Sequence, residues 1–195
     1  MKSILFFEHI TQDQFSAVGG KLFVLGELAQ KADALGIRVP NGFAITTAAY
    51  QDHLRRNRLE EFVYAHAQQA RECEGDRARV AAEIRQAIIE APLDGNLRAV
   101  IVESYQALCG SQPDSAVAVR SSATAEDLPH ASFAGQQDSY LSIIGDDAVC
   151  DAVRRCWASL FTERALTYRA VQKIDERDVA IAVGVQLMVD VRSAG

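Results

Sequence analysis

The fold of this chain turns on one stretch, Val117–Leu141, which reads VAVRSSATAEDLPHASFAGQQDSYL. An apolar run over 116–119 predicts a short strand, and the alternation over Ser139–Ile143 predicts a second. Between them stand Arg120, the hydroxyls of Ser121, Ser122, Thr124 and Ser132, and Gly135. An arginine at a strand mouth presents a planar fork of donors that matches phosphate oxygens. Small residues beside it let backbone N–H groups approach the same oxygens. Composition alone also describes a Ser/Ala-rich surface loop with Arg120 paired to Glu126 or Asp127, and both readings stand at this point. Glu126 and Asp127 are adjacent, so their side chains do not converge, and no metal is assigned to them. No catalytic residue is assigned in this chain.

Upstream, Ile4–Phe7 predicts a strand. Gly19-Gly20 is a breaker, and Lys21 opens a helix whose apolar residues Leu22, Leu25, Leu28, Ala32 and Leu35 recur at helical spacing. Gly36 is its stop signal. A lysine at a helix start adds a point charge where anions are favoured, but the spacing is not that of a P-loop. Val39-Pro40-Asn41-Gly42 is a turn, followed by a strand at Phe43–Ile45 and a helix capped by Thr46 or Thr47 that runs to Arg56. Three helices are then predicted at Leu59–Glu72, Arg77–Glu90 and Leu97–Cys109. Their core faces are read as Ile84, Ile88 and Leu93, then Val100, Ser104 and Leu108. His53 and His66 have no partners at ligand spacing and read as ordinary helix residues. The polar stretch Ser111–Ser115 is the internal boundary. Downstream, Asp146 is expected to cap a helix from Ala148 to Phe161, with Val149, Val153, Trp157 and Leu160 on one side. Thr162 caps another helix, and Ala180–Val189 alternates as a strand.

Composition sets the broad class. Of 195 residues, 49% are hydrophobic and 24% charged, which suffices for a core. Net charge is -6 and no basic stripe occurs, so nucleic acid and anionic membranes are not expected partners. No apolar run reaches the length of a membrane span. The four cysteines form no C-x-x-C pair and no zinc spacing, which fits free thiols in a reducing cytoplasm.

The stretch AVRSSATAEDLPHASFAGQQDSYL resembles the signature of the N-terminal nucleotide-binding domain of the phosphoenolpyruvate synthases, rifampin phosphotransferases and pyruvate phosphate dikinases. VGGKLFVLGEL (Val18–Leu28), VPNGFAITTAAY (Val39–Tyr50), CWASLFTERALTYR (Cys156–Arg169) and VGVQLMV (Val183–Val189) resemble the same group. The resemblance implies an α+β fold, an ATP-grasp-like N-terminal lobe incomplete as a fragment. In it, residues 51–112 form a mainly helical insert, and 116–195 carry the phosphate loop and adenine hinge. It implies that Lys21 and Arg120 contact ATP phosphates, that Gly135 and Ser139 lie near ATP, and that Gln186, Met188 and Val189 receive adenine. One departure is visible: relatives usually carry a glycine after the lysine, whereas here Leu22 follows. The resemblance implies Mg²⁺ held by ligands downstream of this chain. It also implies a phosphohistidine on a later domain and pyruvate, or another acceptor, on domains absent here. His130 is not that histidine. VPNGFAITTAAY and EIRQAIIEAP (Glu83–Pro92) favour the synthase over the antibiotic enzyme, and a nucleotide-binding module without catalysis stands as a further alternative.

Overall fold

The computed structural model describes residues 2–112, 114–123 and 138–189. Among these, five strands form one antiparallel sheet, β1 (Ile4–Phe6), β2 (Gly42–Ile45), β3 (Val117–Ala123), β4 (Ser139–Ile143) and β5 (Ile181–Leu187), ordered β1-β2-β5-β3-β4. The last strand in the chain is therefore the middle strand of the sheet. It is buried from Ile181 to Val185, as suits a strand covered on both faces.

Among the described residues seven α-helices surround the sheet: α1 (Phe15–Leu35), α2 (Thr47–Arg56), α3 (Glu60–Glu72), α4 (Arg77–Glu90), α5 (Gly95–Cys109), α6 (Asp146–Ala158) and α7 (Glu163–Gln172). Side chains alternate across a strand, and the core divides accordingly. Phe43, Val119, Val183 and Val185 point into a large cluster with Val63, Ile84, Ile101, Val153 and Trp157. The helices of residues 60–109 thus share one contiguous core with the sheet. Ala44 and Ala182 point the other way, against Val18, Leu22 and Phe23 of α1 and against Phe7 and Ile10.

Polar ties hold the helical layer in place. Tyr105 Oη donates to Ser115 O at 3.0 Å and accepts from Gly145 N at 3.0 Å, fastening α5 to the entries of β3 and α6. Arg154 Nη1 of α6 donates to Ile89 O at 2.8 Å and so satisfies a carbonyl at the C-terminus of α4. Arg169 is wholly buried, and its Nε donates to Glu176 Oε2 at 2.8 Å.

Several expectations shift. The first helix begins at Phe15, not Lys21, and continues across a non-helical residue, Gly19 (φ 73°, ψ 164°), so Lys21 lies at the restart rather than the start. Thr46 is the residue before α2, but its Oγ1 donates to Lys2 O at 3.0 Å and makes no cap bond. Asp146 lies inside the first turn of α6 behind Gly145, and α6 ends at Ala158, with Ser159–Phe161 a single 3-10 turn. Of the face read on α5, Ser104 is buried and Leu108 half-buried, but Val100 is 39% exposed, and Leu97, Ile101 and Tyr105 are buried besides. β5 ends at Leu187, so Met188 and Val189 lie beyond it.

Candidate functional site

β3 is buried at every position except one. Val117, Ala118, Val119, Ser121, Ser122 and Ala123 are covered and Arg120 is exposed. Register fixes where it points. Arg120 stands opposite Gly184 of β5 and Ser139 of β4, and directly paired residues share a face. That face is the one α1 covers: a Cβ on Gly184 would fall 2.4 Å from Leu22 Cδ2. None of the ion pairs among the described residues uses Arg120.

α1 reaches this face through its glycine turn. Gly19 adopts the left-handed φ of 73°, and a Cβ there would sit 2.6 Å from Ser122 Oγ and 3.1 Å from Ser122 O. Only a residue without a side chain lets the helix lie this close to β3. The helix then restarts, Leu22 turns inward onto Gly184, and Lys21 is exposed. Leu22 is thus a core residue, 2% exposed. Ser122, read from the sequence only as one of several loop hydroxyls, is fully buried beneath the turn, and its Oγ has no hydrogen-bond partner among the described residues. The signal available was its spacing from Arg120: two residues on along a strand is the same face.

Arg120 and Ser139 are paired across β3 and β4, and α1, which carries Lys21, packs against β3 and β5. Ser139 is exposed at the start of β4. The remaining predicted residues lie along β5. Gln186 stands opposite Ala118 and Gly42, and its Nε2 donates to Pro40 O at 3.1 Å, so its amide hydrogen ties down the α1–β2 connection. Met188 follows the strand; its N donates to Ala116 O at 3.0 Å and its Sδ accepts from Ser142 N at 3.0 Å. Strand rise puts Gln186 about 7 Å, and Met188 about 14 Å, along from the level of Arg120. Met188 and Val189 are 40% and 59% exposed. Gly135, Thr124, Ser132, Glu126, Asp127 and His130 lie outside the described residues.

Behind the strand the chemistry is inert. Burial pushes the Cys156 thiol up, and its Sγ lies 3.8 Å from Val119 O. Burial first, and Asp138 second, raise the Tyr140 phenol, whose Oη donates to Asp138 Oδ2 at 3.1 Å. Among the described residues no cluster of three or more His, Cys, Asp or Glu is placed to hold a metal. No helix among them is long and apolar enough to cross a membrane. A polar groove of about 760 Å³ lies on the opposite, helical side, lined by Glu60, Tyr64, Arg71 and Glu176 among others.

An exposed arginine on a covered strand is suited to an anion. The family model of the pyruvate phosphate dikinase AMP/ATP-binding domain matches residues 15–195. The chain belongs to this family. A probable phosphoenolpyruvate synthase of Methanothermobacter thermautotrophicus is 44% identical over 198 residues, covering all of this chain and 28% of the relative. The phosphoenolpyruvate synthase of Escherichia coli is 40% identical over 195 residues, covering 98% of this chain and 25% of the relative. The rifampicin phosphotransferase of Bacillus subtilis is 41% identical over 193 residues, covering 98% and 22%. The chain thus spans about a quarter of the length of these curated relatives and corresponds to their ATP-binding region. In this AMP/ATP-binding domain, the match begins at Phe15, the first residue of α1, and so takes in the glycine turn, Arg120 and β5 together.

Proposed function

We propose that this chain is the ATP-binding portion, of ATP-grasp type, of a phosphoenolpyruvate synthase. The whole protein would convert ATP, pyruvate and water to AMP, phosphoenolpyruvate and phosphate through a phosphohistidine on a later domain. One observation carries the reading: Arg120 is the lone exposed residue of an otherwise buried strand, on the face that also carries the Gly19–Lys21 turn and Ser139.

Phosphoryl transfer depends mainly on positioning and charge neutralisation. Arg120 would hold phosphate oxygens through its guanidinium fork, and Lys21 would add a point charge from the restart of α1. Ser139, opposite Arg120, would supply a hydroxyl, and Gly135 a close backbone approach. The purine would lie toward Met188 and Val189, with Gln186 beside them. The amide hydrogen of Gln186 is engaged by Pro40, so its contribution would come from Oε1 or backbone. Mg²⁺, when bound, would neutralise charge on the transferring phosphates; its ligands are placed in the longer protein. The enzyme is read as cytoplasmic. The comparably similar antibiotic phosphotransferase keeps a second reading open, with the same nucleotide half-reaction and a different acceptor.

The test is Arg120→Ala in the full-length protein. A charge-assisted contact is worth roughly 1.5–3 kcal/mol, so ATP affinity measured by calorimetry should fall about tenfold or more. Because Arg120 is exposed, the melting midpoint should hold. Unchanged affinity and turnover in the folded variant would remove Arg120 from the site. Phosphoenolpyruvate formation by the parent protein separates the synthase from the antibiotic enzyme.

A further inference from the structure

The side chain of Ser122 is a buried polar group left over. The residue is 0% exposed, and its Oγ has no hydrogen-bond partner among the described residues. The preceding hydroxyl is placed differently: Ser121 Oγ donates to Asp138 O at 3.3 Å. The main chain of Ser122 stands in the ladder opposite Ala182 of β5, so the unmet group is the hydroxyl. A buried polar group without a partner costs free energy, and native proteins hold few of them.

What stands against this hydroxyl is the break in α1. Gly19 has φ 73° and ψ 164° inside an otherwise helical run, and a Cβ on it would fall 2.6 Å from Ser122 Oγ. Gly20 follows, and then Lys21, which is exposed. Two successive glycines put no side chain in the way of a change in φ and ψ, so this turn is where α1 can flex. A hydroxyl both donates and accepts. A small rotation of the turn's peptide groups gives Ser122 the bond it lacks and carries Lys21 with it. Ser122 lies two residues beyond Arg120 along β3, on the same face, but Arg120 is open and Ser122 is covered. The hydroxyl therefore reaches no ligand itself and acts only through the turn above it.

We propose that Ser122 is a positioning residue: in the nucleotide-bound protein its hydroxyl bonds the Gly19–Gly20 turn and so holds Lys21 toward the phosphates. This role rests on the proposed nucleotide site and adds to it a residue that touches no ligand. A ligand shifts a two-state element by its differential affinity for the two forms. Without the Ser122 bond the form that presents Lys21 is less populated, and apparent affinity falls with that fraction.

The test is Ser122→Ala in the full-length protein, with ATP affinity measured by calorimetry and the melting midpoint measured without nucleotide. The ATP Kd should rise about threefold or more. The midpoint should hold or rise, because alanine leaves no unpaired hydroxyl in the core. A merely structural serine would lose both together, so a lower midpoint alongside weaker affinity overturns the proposal, as does an unchanged Kd. Coupling gives an independent reading: in a Lys21→Ala background, Ser122→Ala should weaken ATP binding no further. An equal further loss there overturns the proposal. Arg120→Ala, measured alongside, separates this role from the site it rests on. If Arg120→Ala weakens binding and Ser122→Ala does not, only the role of Ser122 falls. If neither does, the nucleotide site lies elsewhere and the role of Ser122 falls with it.

Discussion

Arg120 is exposed because its neighbours on both sides are not, and the residues that arrange this are small. Gly19 lies against Ser122, and Gly184 leaves room for Leu22, so α1 lies close to the sheet. Gly19→Ala should therefore cost more than Gly36→Ala. Both glycines have positive φ, 73° and 63°, which costs an L-residue roughly 1–2 kcal/mol. Only at Gly19 does the added Cβ also strike another residue, Ser122 Oγ, at 2.6 Å. Urea denaturation of the two variants measures the difference, and equal losses would mean that Ser122 yields. His53 is the second residue with a sharp prediction. Its ring packs 4.8 Å from Trp157, it is 2% exposed, and burial holds its pKa below the usual histidine value. The unfolded chain then takes up a proton before the folded one does. Stability is present in full above the ordinary pKa of about 6.5 and is lost as pH falls from there toward the folded value. The melting midpoint should drop between about pH 7 and 5.5, and His53→Gln should flatten that slope. An unchanged slope would assign the acid sensitivity to other groups.

Among the elements, α7 depends most on a single polar contact. Arg169 projects from it into the core, meets Glu176 at 2.8 Å, and lies over the Phe161 ring at 5.5 Å. Arg169 Nη1 and Nη2 and Glu176 Oε1 have no hydrogen-bond partner among the described residues. Removing one member of such a pair leaves an uncompensated buried charge and costs about 3–5 kcal/mol. Replacing both with apolar residues is often neutral or stabilising. Glu176→Ala should thus lower the denaturation midpoint strongly, and the double variant Arg169→Met, Glu176→Leu should recover most of the loss. A double variant as weak as the single one would mean that the pair also positions the turn at Glu176–Asp178. The other elements show where local pattern fails. α5 buries Leu97 and Ile101 and leaves Val100 out, because the neighbours of α5 select its buried face. It starts at Gly95, two residues before the expected Leu97, because Asp94 accepts from Asn96 N and Leu97 N as an N-cap.

Taken whole, the molecule is a sheet covered by α2–α7 on one face and by α1 on the other, with Arg120 and Ser139 left open beside α1. One contiguous core joins the sheet to most of the helices, so the 195-residue chain should melt cooperatively on its own. It should not carry out phosphotransfer. Phosphoryl transfer needs metal and nucleophile positioned around the phosphates, and the proposed site here offers cations and a hydroxyl. Incubation of the purified chain with labelled ATP, magnesium and pyruvate should yield no AMP or phosphoenolpyruvate above a buffer blank. Turnover that is lost on Arg120→Ala would show that the chain holds a complete site.

The sequence by itself determined the elements and the family. Helical spacing, Gly36, Thr162 and the alternation at Ser139–Ile143 are local signals, set by backbone sterics and side-chain periodicity. The long motif around Arg120 is likewise a property of the chain. Only the tertiary structure decided which residues share a face. β5, distant in sequence, enters between β2 and β3 and sets Gly184 opposite Arg120. That placement makes Leu22 a core residue, buries Ser122 beneath Gly19, and spends the Gln186 amide hydrogen on Pro40. Such relations depend on strand order and register, which arise from long-range pairing and burial. No window of sequence around any one of these residues contains its partner.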